Sequence, residues 1–149
     1  KESFISDLLE ENRIPEENLH PFNIKDEKDE FNIKHYSKEL QELGGVYDVL
    51  LLSSGKDGHI GALYPDHHSI YDDSDYFLTM HDSPKDPAKR MSMSRKLVLR
   101  SKSAILLFFG GTKYKAWQKF HNPHITYVHC PAKLVKKLEK SYILTDLSQ

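Results

Sequence analysis

Two apolar runs limit most strongly what this chain can fold into: VYDVLLL, Val46 to Leu52, and AILLFF, Ala104 to Phe109. Each has the length of a strand and is close to continuous rather than alternating, the pattern of a strand covered on both faces within a parallel sheet. Each also empties into a loop that begins with glycine or reaches it within three residues. The elements around these runs follow from spacing. Phe4, Ile5, Leu8 and Leu9 recur at helical intervals and stop before Pro15. The charged run KDEKDE, Lys25 to Glu30, is followed by Phe31, Tyr36, Leu40 and Leu43, so it reads as the solvated start of a helix closed by Gly44 and Gly45. Tyr76 to Met80 is a shorter strand candidate. Thr112 is placed to cap a helix carrying Tyr114, Ala116, Trp117 and Phe120. Ile125 to Val128 reads as a strand, Pro131 to Lys140 as a helix and Tyr142 to Leu144 as a last strand. Strands alternating with helices define an α/β fold with a mainly parallel sheet, and 149 residues suit a single domain over 1–149.

Composition removes several function classes. A formal net charge of -1 and a pI near 6.8 leave no global positive field for nucleic acid or anionic lipid. No apolar run approaches the ~20 residues of a membrane span, and Lys1 to Glu10 lacks the apolar centre of a signal peptide. The expectation is therefore no nucleic acid and no membrane. The single cysteine, Cys130, allows no internal disulfide and suits a reducing, cytoplasmic setting.

In sheets of this kind, ligands bind beyond the carboxyl ends of the strands. Two loops qualify, Ser53 to Pro65 and Gly110 to Lys113. The first, SSGKDGHIGALYP, matches neither a dinucleotide fingerprint nor a P-loop. Asp57-Gly58 is a common hairpin turn pair, but HIGALYP alternates poorly for a returning strand, so a glycine-lined site is the favoured reading. There, Gly55 and Gly58 would let backbone approach a ligand and expose N–H groups. His59 would accept a proton from water, with Asp57 fixing its tautomer.

SPKDPAKRMSMS, Ser83 to Ser94, reads either as an exposed basic loop or as a stiffened segment that presents Lys89 and Arg90 to a phosphate. Thr112 and Lys113 read either as ordinary capping or as an anion site at a helix N-terminus. Two cationic spots beside one histidine loop favour a phosphorylated ligand. His121, His124, His129 and Cys130 resemble a metal ligand list, but Pro123 breaks the spacing and no second cysteine pair follows, so no metal is expected. His67, His68 and His81 read as surface residues, and no nucleophile elbow surrounds any serine.

Taken in order, YDVLLLSSGKDGHIGALYP, SPKDPAKRMSMS and ILLFFGGTKYKAW resemble the glucosamine-6-phosphate deaminase/6-phosphogluconolactonase superfamily, and its lactonase branch in particular. That resemblance implies a Rossmann-like α/β fold and hydrolysis of 6-phosphoglucono-δ-lactone to 6-phosphogluconate, a step of the oxidative pentose phosphate pathway, without metal or organic cofactor. By the same resemblance His59 is the general base and Asp57 its accompanying acid. Arg90 and Lys113 hold the substrate phosphate, and amides near Gly55 and Gly58 face the oxyanion. The chain departs from the family at Ser53, where Gly is usual, at Gly61-Ala62, where Ala-Ser is usual, and at Tyr64, where Phe is usual. The deaminase branch carries Glu at the position of Tyr64, so an amino-sugar phosphate deaminase is the weaker alternative, and a non-catalytic sugar-phosphate-binding domain is a third. The family's Gly-Gly-Ser phosphate loop and Asp-Glu-Arg motif do not occur in the chain. It is accordingly expected to be the C-terminal part of the fold, with an exposed sheet edge and a tendency to self-associate.

Overall fold

The computed structural model describes residues 14–22 and 32–147. In chain order its elements are helix α1 (Ile33–Glu42), strands β1 (Val49–Ser53), β2 (Phe77–Met80) and β3 (Arg90–Met93), helix α2 (Arg95–Arg100), strand β4 (Ser103–Phe108), helix α3 (Tyr114–His121) and strand β5 (Lys140–Thr145). Short 3-10 segments run over Glu16–Asn18, His68–Ile70, Gly111–Lys113 and Pro131–Lys137. The expected helix around Phe4 to Leu9 and the KDEKDE run lie outside the described residues.

The two apolar runs are strands of a parallel sheet, as expected, and they pair directly with each other. β1, β4 and β5 form a parallel sheet in the order β1-β4-β5, with Leu50 opposite Ala104 and Leu106 opposite Ile143. Leu50, Leu52, Ala104, Leu106 and Phe108 all point to one face and are buried. Helix α3 closes over that face because Ala116 and Trp117 lie four and three residues before Phe120, which puts all three on one side of the helix. Phe108 meets Trp117 and Phe120 at ring separations of 5.4 and 5.2 Å. Leu134 and Val135, from the segment after Cys130, complete the same cluster.

The other face differs from expectation. Val49 (57% exposed), Leu51 (55%), Tyr142 (59%) and Leu144 (49%) stand open along it, so β1 is covered on one face only among the described residues.

Helix α1 ends where its glycines stand. Gly45 N–H donates to Leu40 O at 2.8 Å and Gly44 N–H to Gln41 O at 3.1 Å, the paired bonds of a Schellman motif, with φ of +107° at Gly44 and +73° at Gly45. The helix leans on the second sheet, an antiparallel pair of β2 and β3, with Tyr36 against Phe77 at 4.9 Å.

Four readings of the sequence change. Ile125 to Val128 is not a strand: Ile125, His129 and Cys130 donate their N–H groups to carbonyls three or four residues back, so the segment is a series of turns, while Lys133 bonds the carbonyls of Asn122 and Ile125. Pro131–Lys137 is a 3-10 helix rather than an α-helix over Pro131 to Lys140. Thr112 lies inside a 3-10 turn, and Lys113 occupies the N-cap of α3 without a side-chain cap bond. β3 lies within the Ser83 to Ser94 segment, which the sequence presents as a loop, and α2 follows it where the sequence reading names no element; Ser94 caps α2 by accepting from Leu97 N–H at 3.1 Å. No helix among the described residues is long and apolar enough to cross a membrane.

Candidate active site

The loop after β1 closes on itself instead of returning as a strand. Gly55 N–H donates to His59 O at 2.8 Å and Gly58 N–H to Gly55 O at 3.0 Å, so Gly55 to His59 forms a compact five-residue ring of backbone at the carboxyl end of β1. The hairpin reading therefore falls. These two bonds also correct the expected role of Gly55 and Gly58, since both amides are engaged inside the loop and do not face a ligand. What the glycines supply is room. A Cβ on Gly55 would stand 1.9 Å from Cε1 of His59, and one on Gly58, whose φ is +100°, would stand 2.8 Å from Sγ of Cys130.

Within that ring the Asp57 carboxylate does two jobs. Its Oδ1 accepts from the backbone N–H of His59 at 3.2 Å and lies 2.6 Å from His59 Nδ1. Burial disfavours the charged carboxylate, but hydrogen bonds from His59 and Lys85 outweigh it and hold the carboxyl well below the usual carboxylate range. An ionised carboxylate only accepts, so the proton between it and the ring belongs to Nδ1. Nε2 of neutral His59 is then left with its lone pair, as a general base requires. The side chain is 19% exposed, so the ring has access to water without being surrounded by it.

Lys85 is the member that sequence reasoning missed. Its Nζ lies 2.8 Å from Asp57 Oδ2 and 3.0 Å from His59 Nδ1. The segment between β2 and β3 presents it there: Ser83 Oγ donates to Lys85 O at 2.8 Å and lies 3.0 Å from Tyr64 OH. Tyr64 is buried, with its ring 4.9 Å from that of His59.

The two expected phosphate residues are placed differently. The Lys113 ammonium donates to the carbonyl of Ser54, immediately before Gly55, and so stands beside the histidine loop. Arg90 begins β3, and its guanidinium bonds the carbonyl of Asp86, while its Nε is buried without a hydrogen-bond partner. It is tied to the residue that follows Lys85, not to Asp57 or His59.

The other histidines do not make a metal centre of the kind weighed from sequence. His129 pairs with Asp66, and His121 stacks on Trp117 at 4.1 Å. Among the described residues, the group with ligand-like convergence is His67, His68 and Asp82. His67 corrects the surface reading, since its side chain is only 16% exposed. Its Nδ1 accepts the N–H of Ser69 at 3.2 Å. The ring proton therefore sits on Nε2, toward Asp82, where a metal would need the lone pair.

The sequence profile described as glucosamine-6-phosphate isomerases/6-phosphogluconolactonase matches residues 2–144. The 6-phosphogluconolactonase of Borreliella burgdorferi is 31% identical over 148 residues, covering 99% of this chain and 63% of its own length. That of Haemophilus influenzae is 31% identical over 108 residues, 71% of this chain and 45% of its own. The solved 6-phosphogluconolactonase of Plasmodium vivax superposes with a TM-score of 0.73 at 20% identity, covering 95% of this chain and 60% of that one. The chain thus spans less than two thirds of the length of these relatives. On the profile match and the Borreliella identity together, the chain belongs to the glucosamine-6-phosphate isomerase/6-phosphogluconolactonase family.

Proposed function

We propose that the protein is a hydrolase of 6-phosphoglucono-δ-lactone, yielding 6-phosphogluconate, and that His59 and Asp57 carry the chemistry. The observation that supports this most directly is the dyad: an ionised Asp57 fixes the proton on Nδ1 and leaves Nε2 of His59 to take a proton from water. As the water oxygen bonds to the lactone carbonyl carbon, His59 accepts the water proton. The bond from that carbon to the ring oxygen then breaks, and the imidazolium returns the proton to the departing oxygen. The relatives named 6-phosphogluconolactonase support this substrate over others.

Lys113 and Arg90 are the proposed phosphate ligands. The Lys113 ammonium has three donors and Ser54 takes one, leaving two for an anion at the mouth of the loop. The unpartnered Nε of Arg90 supports a role beyond its bond to Asp86. Deamination is the poorer fit, because Tyr64 is 1% exposed and its hydroxyl is engaged by Ser83, so it supplies no carboxylate for proton transfer. We place the reaction in the cytoplasm, consistent with the lone free thiol of Cys130. We read 1–149 as one α/β domain, and the sheet face left bare among the described residues as a surface for self-association.

The test is proton release from lactone generated in situ, corrected for spontaneous hydrolysis. His59→Ala is expected to lose about 100-fold or more in kcat. Parental turnover by that variant would remove His59 from the mechanism, and 6-phosphogluconate binding without any turnover by the parent would replace hydrolysis with sensing.

A further inference from the structure

We propose that Lys85 is a positioning residue for His59: by sharing the Asp57 carboxylate, it keeps the imidazole in its base form to lower pH and makes the imidazolium readier to give its proton back. Three distances carry this. Asp57 is bridged by His59 Nδ1 at 2.6 Å on Oδ1 and by Lys85 Nζ at 2.8 Å on Oδ2, and the ammonium stands 3.0 Å from Nδ1 itself. An ammonium has donors only, and Nδ1 already holds the proton shared with Asp57. The Lys85–His59 contact is therefore the approach of two donors drawn to one carboxylate, not a hydrogen bond between them. While the ring is neutral the arrangement is favourable. Once Nε2 gains a proton, two cations stand side by side over a single carboxylate.

This changes what the dyad does. A lone Asp–His pair stabilises the imidazolium, which makes the ring a stronger base but a reluctant acid. Lactone hydrolysis needs both roles in succession, since the proton taken from water must go on to the ring oxygen. A fixed positive charge beside the ring trades basicity for acidity, and so suits the second half of the cycle. The backbone that carries Lys85 is held locally, because Ser83 Oγ accepts its N–H at 3.3 Å and donates to its carbonyl.

The remaining groups around His59 do not supply this charge. Tyr64 meets it as a phenol engaged by Ser83, burial pushes the Cys130 thiol beneath Gly58 up, toward its neutral form, and the Lys113 ammonium faces the Ser54 carbonyl.

The inference rests on the hydrolytic role proposed for His59, and the experiment separates the two. In Lys85→Met, the acid limb of the kcat/KM profile for the lactone is expected to move about one pH unit upward, with Lys85→Arg returning it toward the parental position. The ring resonances of His59, followed by NMR without substrate, are expected to shift their titration midpoint in the same direction in the Met variant. Lys85→Gln serves if the Met variant fails to fold. A neutral variant whose His59 signals titrate as in the parent overturns the proposal, whatever its activity. If no form of the protein turns over the lactone, the hydrolytic reading falls, and the NMR titration alone decides whether Lys85 acts on His59.

Discussion

Gly55 has no Cβ because the imidazole of His59 lies where one would stand, within 2.0 Å of Nδ1. The backbone on both sides is held by the bonds that close the loop, so in Gly55→Ala the ring is what must yield. If His59 is the general base proposed above, displacing it from its carboxylate should cost roughly 100-fold in kcat, with the urea midpoint close to parental. Steady-state kinetics beside equilibrium unfolding would read both, and a Gly55→Ala enzyme with parental kcat would contradict the placement. Asp57 adds a second readout. Its carboxyl is held below the unfolded value of about 3.9, so the stability it contributes is complete above that value and is lost as pH falls through it toward the folded one. Asp57→Asn should therefore flatten the decline in stability below about pH 4, as seen in urea midpoints measured across the acid range. Asp57 and His59 are legible in the sequence because two residues of spacing bring an Asx-type carboxylate under its own neighbour's N–H. Lys85 lies 26 positions from His59 and reaches it only through the fold of the segment between β2 and β3. The amides of Gly55 and Gly58 were legible as flexible positions, but not as engaged ones.

At the scale of elements, the β2–β3 pair acts as the wall against which the histidine loop is set. Ser92, in the middle of β3 and 7% exposed, accepts the N–H of Ala62 at 2.9 Å. Ser92→Ala leaves that amide unsatisfied in a buried place, at a cost of about 1–3 kcal/mol, and frees the loop to drift, which should lower kcat by about tenfold. Ser94→Ala is the matched control. It removes the cap of α2, at about 1 kcal/mol, without touching the loop, and should leave kcat near parental. Thermal unfolding and kcat measured on both variants would separate a lost contact from a lost alignment. β3 was present in the sequence as a short alternation, RMSM, hidden by the prolines and charges before it. Ile125 to Val128 erred the other way: it has the residue types of a strand, but Asn122 and Thr126 offer carbonyls that turn the chain back on itself. β1, β4 and β5 were found because each carries apolar residues for the sheet, but their order, β1-β4-β5, is set by the crossovers between them and is not written in any one run.

For the molecule as a whole, the expectation that failed for β1 becomes the most consequential feature. Continuous apolar strands anticipate cover on both sides, and parallel sheets rarely go without it. Leu51, Ile105 and Tyr142 nevertheless form one row across the open face, with Val49 and Leu144 in the rows on either side. Among the described residues β1 is also an edge strand, with no ladder partner on its outer side. An apolar face beside a free edge is a template for a second copy of the same chain, because the copy brings both a complementary face and a complementary edge. The protein should accordingly sediment faster as its concentration rises. Leu51→Lys combined with Tyr142→Lys should return it to a concentration-independent monomer, since two charges at the centre of the face cannot be buried against each other. These side chains point away from the buried core on which the histidine loop rests, so the double variant should keep the parental pH profile for lactone hydrolysis. Monomeric sedimentation of the parent at every concentration would show that the open face does not drive association.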